Sequence, residues 1–182
     1  MKASWARLAR RIRVPLGFAF AGFYFWAARP TWVSLAFGTV CLSLGLLVRA
    51  AASGYVQKDE QLTTSGPYAH VRNPLYLGSV ILACGLAIAA RNWWIVLGMT
   101  LLFIGIYLPV IFSEENFLRS NFPAFTLYAQ NVPRLIPRLH AYQQNATQRF
   151  SRELYWKHRE YNALLGTIAV LFVLVVKLWF SR

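Results

Sequence analysis

An all-α integral membrane protein with about five transmembrane helices is the fold class that this sequence predicts. The chain of 182 residues is 57% hydrophobic yet carries a formal net charge of +13, which a soluble basic domain does not normally combine. Its apolar residues form five segments with lengths near the ~20 residues that cross a bilayer. The segments are 14–28, 32–48, 75–90, 93–112 and 162–180.

The first apolar segment follows a basic N-terminus, as in a secretory signal peptide. However, the sequence Phe25-Trp26-Ala27-Ala28-Arg29 lacks a small-x-small cleavage site, and a second apolar segment follows at once. We therefore expect the first segment to be retained as a helix.

The links between the segments predict two antiparallel hairpins. Arg29-Pro30-Thr31 joins the first two segments and Arg91-Asn92 joins the next two, so both turns are tight. The longer polar regions 49–74 and 113–161 then lie on one side of the membrane. Within the second, basic and aromatic residues over 143–161 predict an interfacial helix that leads into the last span.

Small residues recur at seven-residue spacing in three of the segments. This spacing places them on one helix face, where neighbouring backbones can approach closely. The pairs are Gly38/Gly45, Gly78/Gly85 and Gly98/Gly105.

The distribution of charge predicts the orientation of the chain. With the N-terminus inside, fifteen Lys and Arg residues lie on its side, leaving Arg29, Arg91, Lys177 and Arg182 for the other side. The positive-inside rule then places both long loops in the cytoplasm. Five tryptophans agree, because they cluster at the opposite helix ends, as in an interfacial belt. Richness in Ala, Leu and Arg favours a bacterial inner membrane.

Partners and metals follow from the same pattern. The basic residues flank membrane-length spans, so lipid headgroups are expected as partners and nucleic acid is not. Cys41 and Cys84 lie in apolar segments and predict no disulfide framework. The three histidines are far apart without neighbouring ligands, so no metal site is expected.

Two constellations could support chemistry. The loop 62–78 is polar, and its dipeptides Gly66-Pro67 and Asn73-Pro74 are strong turn signals that run into an apolar helix. Glu114-Glu115 ends the fourth apolar segment, where the helix dipole repels negative charge and a cation should compensate. That cation could be Arg119, four residues after Glu115, or a cationic ligand, or Arg72.

These residues resemble the signature of the isoprenylcysteine carboxyl methyltransferase family and its phospholipid N-methyltransferase relatives. The resemblance covers about residues 53–138. It rests on Gly66-Pro67-Tyr68, the run from Val71 to Gly78, Glu114-Glu115 with Leu118, and Tyr128 with Val132-Pro133 and Pro137. The family often has Arg-His-Pro where this chain has Arg72-Asn73-Pro74.

The resemblance implies a membrane methyltransferase that uses S-adenosylmethionine in a cytoplasmic pocket. Carboxylates would stabilise its sulfonium and amino group, Arg72 its carboxylate, and aromatic or apolar side chains its adenine. The catalytic candidates are Glu114, Glu115 and Arg72. The cofactor-binding candidates are Leu62, Gly66, Tyr68, Arg72, Asn73, Pro74, Tyr76, Glu114 and Tyr128.

The expected organisation has three parts. Residues 1–52 form an N-terminal transmembrane hairpin, 53–138 a methyltransferase-like core, and 139–182 an interfacial helix with the last span. The acceptor would be a membrane lipid or prenylated molecule with a carboxylate or an amine. The alternatives are an NADPH-dependent membrane reductase of related fold and a non-catalytic membrane scaffold.

The topology gives a first testable prediction. A cysteine at Ser65 should react with a membrane-impermeant thiol reagent from the cytoplasm, and one at Asn92 from outside. Reversed accessibility would contradict the orientation and the access of a soluble cofactor to the loops.

Overall fold

The computed structural model describes residues 2–57, 61–142 and 148–180; among residues 2–14 it describes the side chains of Leu8 and Ile12 alone. Across this part of the chain the structure is helical and contains no strand, which confirms the all-α prediction. The described α-helices are α1 (Lys2–Ala27), α2 (Trp32–Ser53), α3 (Pro74–Ala90), α4 (Trp93–Leu102), α5 (Leu108–Asn121), α6 (Phe125–Asn131), α7 (Arg152–Lys157) and α8 (Tyr161–Phe180).

Three of the described helices are long and apolar enough to cross a membrane. They are Trp32–Ser53, the continuous helix Trp93–Asn121 that contains α4 and α5, and Tyr161–Phe180. The apolar helices Pro15–Ala27 and Pro74–Ala90 are shorter. A membrane location is therefore supported, and the count of five spans stays a prediction.

The two short links meet at one end of the bundle, which we call the hairpin end. Thr31 caps α2 by accepting a hydrogen bond from the Ser34 amide, while the Ser34 hydroxyl accepts one from the Thr31 amide. Asn92 caps α4 through the Trp94 amide and also donates to the Ala27 carbonyl at 2.9 Å. Because Asn92 is structural, the exposed Arg29 is a better cysteine-labelling position at this end.

Helices α2 and α3 pack through glycines, as their spacing predicts. A Cβ on Gly38 would stand 2.9 Å from the Gly85 carbonyl oxygen, and one on Gly45 would stand 2.9 Å from that of Gly78. Neither contact leaves room for a side chain, so the two backbones lie against each other. Gly98 differs, because its nearest neighbour is the Phe20 ring of α1 and not a helix backbone.

Helices α4 and α5 are joined without a break by the π-helical turn Phe103–Tyr107. Pro109 follows in the first turn of α5, where it has no amide hydrogen to donate and would clash with the preceding turn of a regular helix. A wider turn relieves that conflict. The same element places Tyr107 and Tyr76 in edge-to-face contact, with ring centroids 6.3 Å apart.

The opposite end of the bundle, which we call the loop end, is built by two polar segments held together. A 3₁₀ turn spans Gly66–Ala69, and Gly66 adopts a φ of +60° that favours glycine. From this turn onward, backbone hydrogen bonds join the loop to the segment after α6. They link the Arg72 amide to the Pro133 carbonyl, the Arg138 amide to His70, and the Tyr142 amide to Ala69, at 2.9, 3.0 and 2.9 Å.

The interfacial helix expected over 143–161 is shorter than predicted. Residues 143–147 lie outside the described part, residues 148–150 are not helical, and α7 covers only Arg152–Lys157. The reason lies in two tertiary contacts: the Phe150 ring packs on Gly54 and Tyr55, and the Ser151 amide donates to the Gly54 carbonyl at 2.8 Å. These contacts fix Phe150 and Ser151 outside the helix, so α7 begins only at Arg152.

The glycine contact between α2 and α3 gives a stability prediction. Gly45→Ala should lower the free energy of unfolding by about 1–3 kcal/mol, the usual cost of overpacking, because its Cβ would meet the backbone of α3. Gly22→Ala is the matched control. No described atom lies within 4 Å of the position of its Cβ, so it should raise stability by ~0.5 kcal/mol through helix propensity. Thermal unfolding in detergent measures both, and equal melting temperatures would contradict the prediction.

Candidate functional site

A large cavity opens at the loop end, between α2, α3, α5 and the two polar segments. Its volume is about 910 Å³, within the ~300–1,000 Å³ range of ligand pockets. Eight of the residues singled out from the sequence line it: Leu62, Tyr68, Arg72, Asn73, Tyr76, Glu114, Glu115 and Tyr128. The two motifs, about forty residues apart in the chain, therefore form one site.

Gly66 and Pro74 do not belong to the lining of this cavity. Gly66 forms the 3₁₀ turn with its positive φ, and a Cβ there would stand 2.6 Å from the Tyr55 ring. Pro74 is buried at the first position of α3, where its missing amide hydrogen costs nothing. Both residues shape the loop that presents the lining side chains.

Glu115 is the centre of a buried polar cluster. Its carboxylate accepts a hydrogen bond from Asn73 Nδ2 at 2.9 Å and three from Arg134, the shortest at 2.8 Å from Nη2. Arg72 Nη1 lies 3.6 Å away. Burying a carboxylate is tolerated only with such compensation. The partner of Glu115 is thus the Arg72 loop together with Arg134, and Arg119 is exposed.

Asn73 stands where the family often has histidine. Its side-chain amide donates to Glu115 and also, at 3.3 Å, to the Arg134 carbonyl. A single amide nitrogen carries two hydrogens, so it serves both acceptors. Asn73 therefore acts as a bridge within the cluster, with its donor groups used by protein atoms.

One hydrogen-bond donor of Arg72, its Nε, is unused within the described part of the chain. Its Nε is buried and has no hydrogen-bond partner among the described residues. Burial lowers the pKa of the Arg72 guanidinium, while neighbouring Glu115 raises it. The group remains a cation at neutral pH because an arginine pKa begins far above that range. A buried cationic donor without a partner at a cavity wall suits an anionic ligand group.

Glu114 differs from its neighbour Glu115 because it is exposed. It lines the cavity and accepts a hydrogen bond from the Tyr76 hydroxyl at 3.1 Å. Its carboxylate thus supplies negative charge to the interior of the site. The adjacent glutamates consequently have separate environments: one is enclosed by cations, and the other faces the cavity.

The wall nearest α6 is aromatic. The Tyr128 hydroxyl donates to the Tyr68 carbonyl at 2.7 Å, and Phe125 contacts Tyr128 with ring centroids 6.1 Å apart. Burial raises the pKa of both Tyr68 and Tyr128, so neither phenol ionises near neutral pH. These rings provide an apolar surface with fixed orientation.

Three lining or supporting residues were missed by sequence reasoning: Arg49, Arg134 and Glu160. Arg49 Nη2 pairs with Glu160 Oε1 at 2.8 Å, although the two residues are 111 positions apart. Both had been counted only as charges on one side of the membrane. Arg134 lies in the turn between Pro133 and Pro137, and its position between two prolines was the available signal. The hydrogen bonds to Glu115 raise the pKa of Arg134.

Metal ligation has no cluster to support it in the described ranges. Among those residues, no group of three or more His, Cys, Asp or Glu side chains is arranged to hold a metal ion. Asp59 and Glu60 lie outside the described residues.

Comparison with protein families connects this cavity to known proteins. Residues 38–124 match the model of the phospholipid methyltransferase family. The match contains the loop 62–78 and both glutamates, so it confirms the resemblance seen in the sequence. It ends before Tyr128, Arg134 and Glu160. No solved structure matches the chain significantly.

Two curated relatives share a similar region. The cobalt-zinc-cadmium resistance protein CzcN of Cupriavidus metallidurans is 34% identical over 142 residues, covering 74% of this chain and 66% of that protein. The nickel-cobalt-cadmium resistance protein NccN of Alcaligenes xylosoxydans xylosoxydans is 32% identical over 122 residues, covering 64% of this chain and 57% of that protein. The matched regions thus span less than two thirds of each relative.

The two glutamates give a prediction about stability. Glu115→Gln should lower the free energy of unfolding by about 3–5 kcal/mol, because it leaves two guanidinium groups beside a neutral amide. Glu114→Gln changes the same atoms one residue earlier at an exposed position, and it should leave the melting temperature within about 2 °C. Thermal unfolding of the two variants in detergent decides the matter, and equal losses would show that Glu115 is not the structural member.

Proposed function

We propose that this chain, whose residues 38–124 belong to the phospholipid methyltransferase family, is an integral membrane methyltransferase that uses S-adenosylmethionine. The observation that carries the proposal is the cavity at the loop end. It combines an exposed carboxylate on Glu114, an unpartnered cationic donor on Arg72 and an aromatic wall within the matched segment and just beyond it.

The lining residues fit the charge pattern of S-adenosylmethionine. This molecule carries a sulfonium, an ammonium, a carboxylate and an adenine ring. Glu114 can take the cationic part, Arg72 Nε can donate to the carboxylate, and Tyr68 and Tyr128 with Leu62 can face the ring. When bound, S-adenosylmethionine supplies an electrophilic methyl group on sulfur.

The acceptor is a lipid-like molecule with a nucleophilic carboxylate or amine. A bond forms between that oxygen or nitrogen and the methyl carbon while the carbon–sulfur bond breaks, and its electron pair stays on sulfur. A carboxylate is already ionised at neutral pH, whereas an ammonium must first release a proton to a base or to water. Glu114 faces the cavity and is the available carboxylate for that proton.

The remaining site residues act by position. Glu115 fixes Arg72, Asn73 and Arg134 in one arrangement, so it is a positioning residue for the cation of Arg72. Tyr128 ties α6 to the Tyr68 backbone and closes one wall against water. Orientation of two reactants in a dry site can supply ~7–11 kcal/mol of the barrier reduction, and no covalent enzyme intermediate is needed.

The proposal extends to topology and organisation. We place the loop end and the N-terminus on the cytoplasmic side of a bacterial inner membrane, where the soluble methyl donor is available. In this arrangement residues 53–138 form the catalytic core, 1–52 the supporting hairpin and 139–182 a further wall of the cavity.

The relatives named as metal resistance proteins suggest a physiological role in metal resistance. Methylation of lipid headgroups would change the electrostatic surface that metal cations meet at the membrane. Comparing the growth on cobalt salts of cells that express the wild type with that of cells that express Glu114→Gln tests this role.

Binding of the methyl donor separates this proposal from a reductase and from a scaffold. Detergent-purified protein should bind S-adenosylmethionine saturably and show no comparable binding of NADPH in parallel calorimetric titrations. Glu114→Gln should raise the dissociation constant for S-adenosylmethionine roughly ten-fold, as expected for loss of a charged hydrogen bond of about 1.5 kcal/mol.

Glu153→Gln is the matched control for that experiment. Glu153 is exposed on α7, away from the cavity lining, so its substitution should leave the dissociation constant unchanged. Tight NADPH binding without S-adenosylmethionine binding would establish the reductase alternative. Binding of neither molecule would favour the scaffold.

A further inference from the structure

The Arg49–Glu160 ion pair forms a wall between two cavities. Arg49 donates to both carboxylate oxygens of Glu160 at 2.8 and 2.9 Å through Nη2, and at 3.1 Å through Nε. Its other terminal nitrogen donates to Ser79 Oγ at 2.6 Å. Both charged residues line the large cavity described above, and both also line a second, smaller one.

The second cavity is an apolar cleft of about 340 Å³ between α2 and the start of α8. Leu46, Leu47, Ala50, Ala163 and Leu164 provide most of its lining, together with Tyr155. Leu47 and Leu164 are 66% and 42% exposed. Since α2 and α8 are both candidate membrane spans, the outer side of this cleft meets lipid chains.

Helix α8 is held differently at its two ends. At the hairpin end Leu174 is completely buried, and Lys177 Nζ donates to the carbonyls of Phe25 and Trp26. At the loop end Glu160, which precedes α8, reaches Arg49 through the ion pair. The cleft lies beside that ion pair. Exchange of the ion pair would therefore join the cleft to the large cavity without unpacking the hairpin end.

A guanidinium recognises a phosphodiester by the same two-pronged geometry that it uses for a carboxylate. The Glu160 carboxylate on Arg49 thus stands in for an anionic oxygen pair of a ligand. A mostly buried charge pair of this kind adds little net stability, because the attraction is offset by desolvation. An anion of matching geometry can accordingly compete for Arg49.

We propose that Arg49 is the binding site for the phosphodiester of a membrane phospholipid, which displaces Glu160 while one acyl chain occupies the cleft between α2 and α8. This inference deepens the proposed function by naming the route and the anchor of the acceptor. Glu160 and α8 lie beyond the segment that matches the family.

Two opposite substitutions test the exchange. Full-length protein in detergent is titrated with dioleoyl phosphatidylethanolamine, without methyl donor, and bound lipid is counted by native mass spectrometry. Arg49→Gln should weaken binding at least about ten-fold, because the phosphodiester loses its charged partner. Glu160→Gln should tighten it by roughly three-fold or more, because the lipid no longer displaces a carboxylate. A purely structural ion pair predicts weakening by both.

Control variants guard against a folding defect. Arg49→Lys keeps the charge but loses the fork, so binding should fall by an intermediate factor of about three. Should Arg49→Gln not remain monodisperse, the opposed signs of Glu160→Gln and Arg49→Lys make the same test. The double change Arg152→Gln/Glu153→Gln removes two exposed charges of opposite sign on neighbouring α7 and should leave the affinity unchanged.

Three further ligands distinguish a membrane phospholipid from a free phosphate and from an apolar lipid. Dioleoylglycerol has the chains without the phosphate; it should bind more weakly and be insensitive to Arg49→Gln. Glycerophosphoethanolamine and inorganic phosphate lack the chains and should not compete with the phospholipid at equal concentration. Equal competition by either, or weaker binding by Glu160→Gln, would overturn the inference. Because S-adenosylmethionine binding is measured separately, that failure would leave the proposed function standing.

Discussion

Everything at the loop end depends on one buried carboxylate. Glu115 sits where a charge is costly, and it is kept there by three partners from two segments, the loop after α2 and the turn after α6. The requirement for compensation draws the loop after α2 and the turn after α6 to the end of α5. The backbone hydrogen bonds between these segments then complete the closure. A cavity remains because the partners surround Glu115, while the neighbouring Glu114 is exposed, lines the cavity and accepts a hydrogen bond from Tyr76.

The sequence predicted the features that arise from local patterns. Helical segments, the tight hairpin turns and the glycine contacts between α2 and α3 follow from periodicity, the length of the links and side-chain size. The two motifs also predicted a single site on one side of the membrane. By contrast, the partner of Arg49 could not be predicted, because Glu160 is 111 residues away and no local pattern indicates which charges meet when the helices pack. Arg134 was hidden for the same reason: its role depends on how the turn after α6 folds back.

The family segment and the rest of the chain contribute different parts of the cavity. Residues 38–124 provide Arg72, Glu114 and Glu115, the groups suited to a charged cofactor. Tyr128 and Arg134 follow this segment and close the site, while Glu160 reaches in from the start of α8. This division explains why the match covers only part of the cavity lining. It also explains why the family match alone does not identify the acceptor.

The π-helical turn Phe103–Tyr107 sets the angular position of the glutamates that follow it. A π turn contains one more residue than an α turn, and each residue in a helix advances by about 100°. Without that extra residue, the face of α5 carrying Glu114 and Glu115 would rotate by that angle relative to α4. The face now turned toward the cavity would then point along the side of the bundle. The wide turn thus sets the angular position at which Glu114 and Glu115 leave the continuous helix Trp93–Asn121, and with it the direction from which they meet the loop after α2.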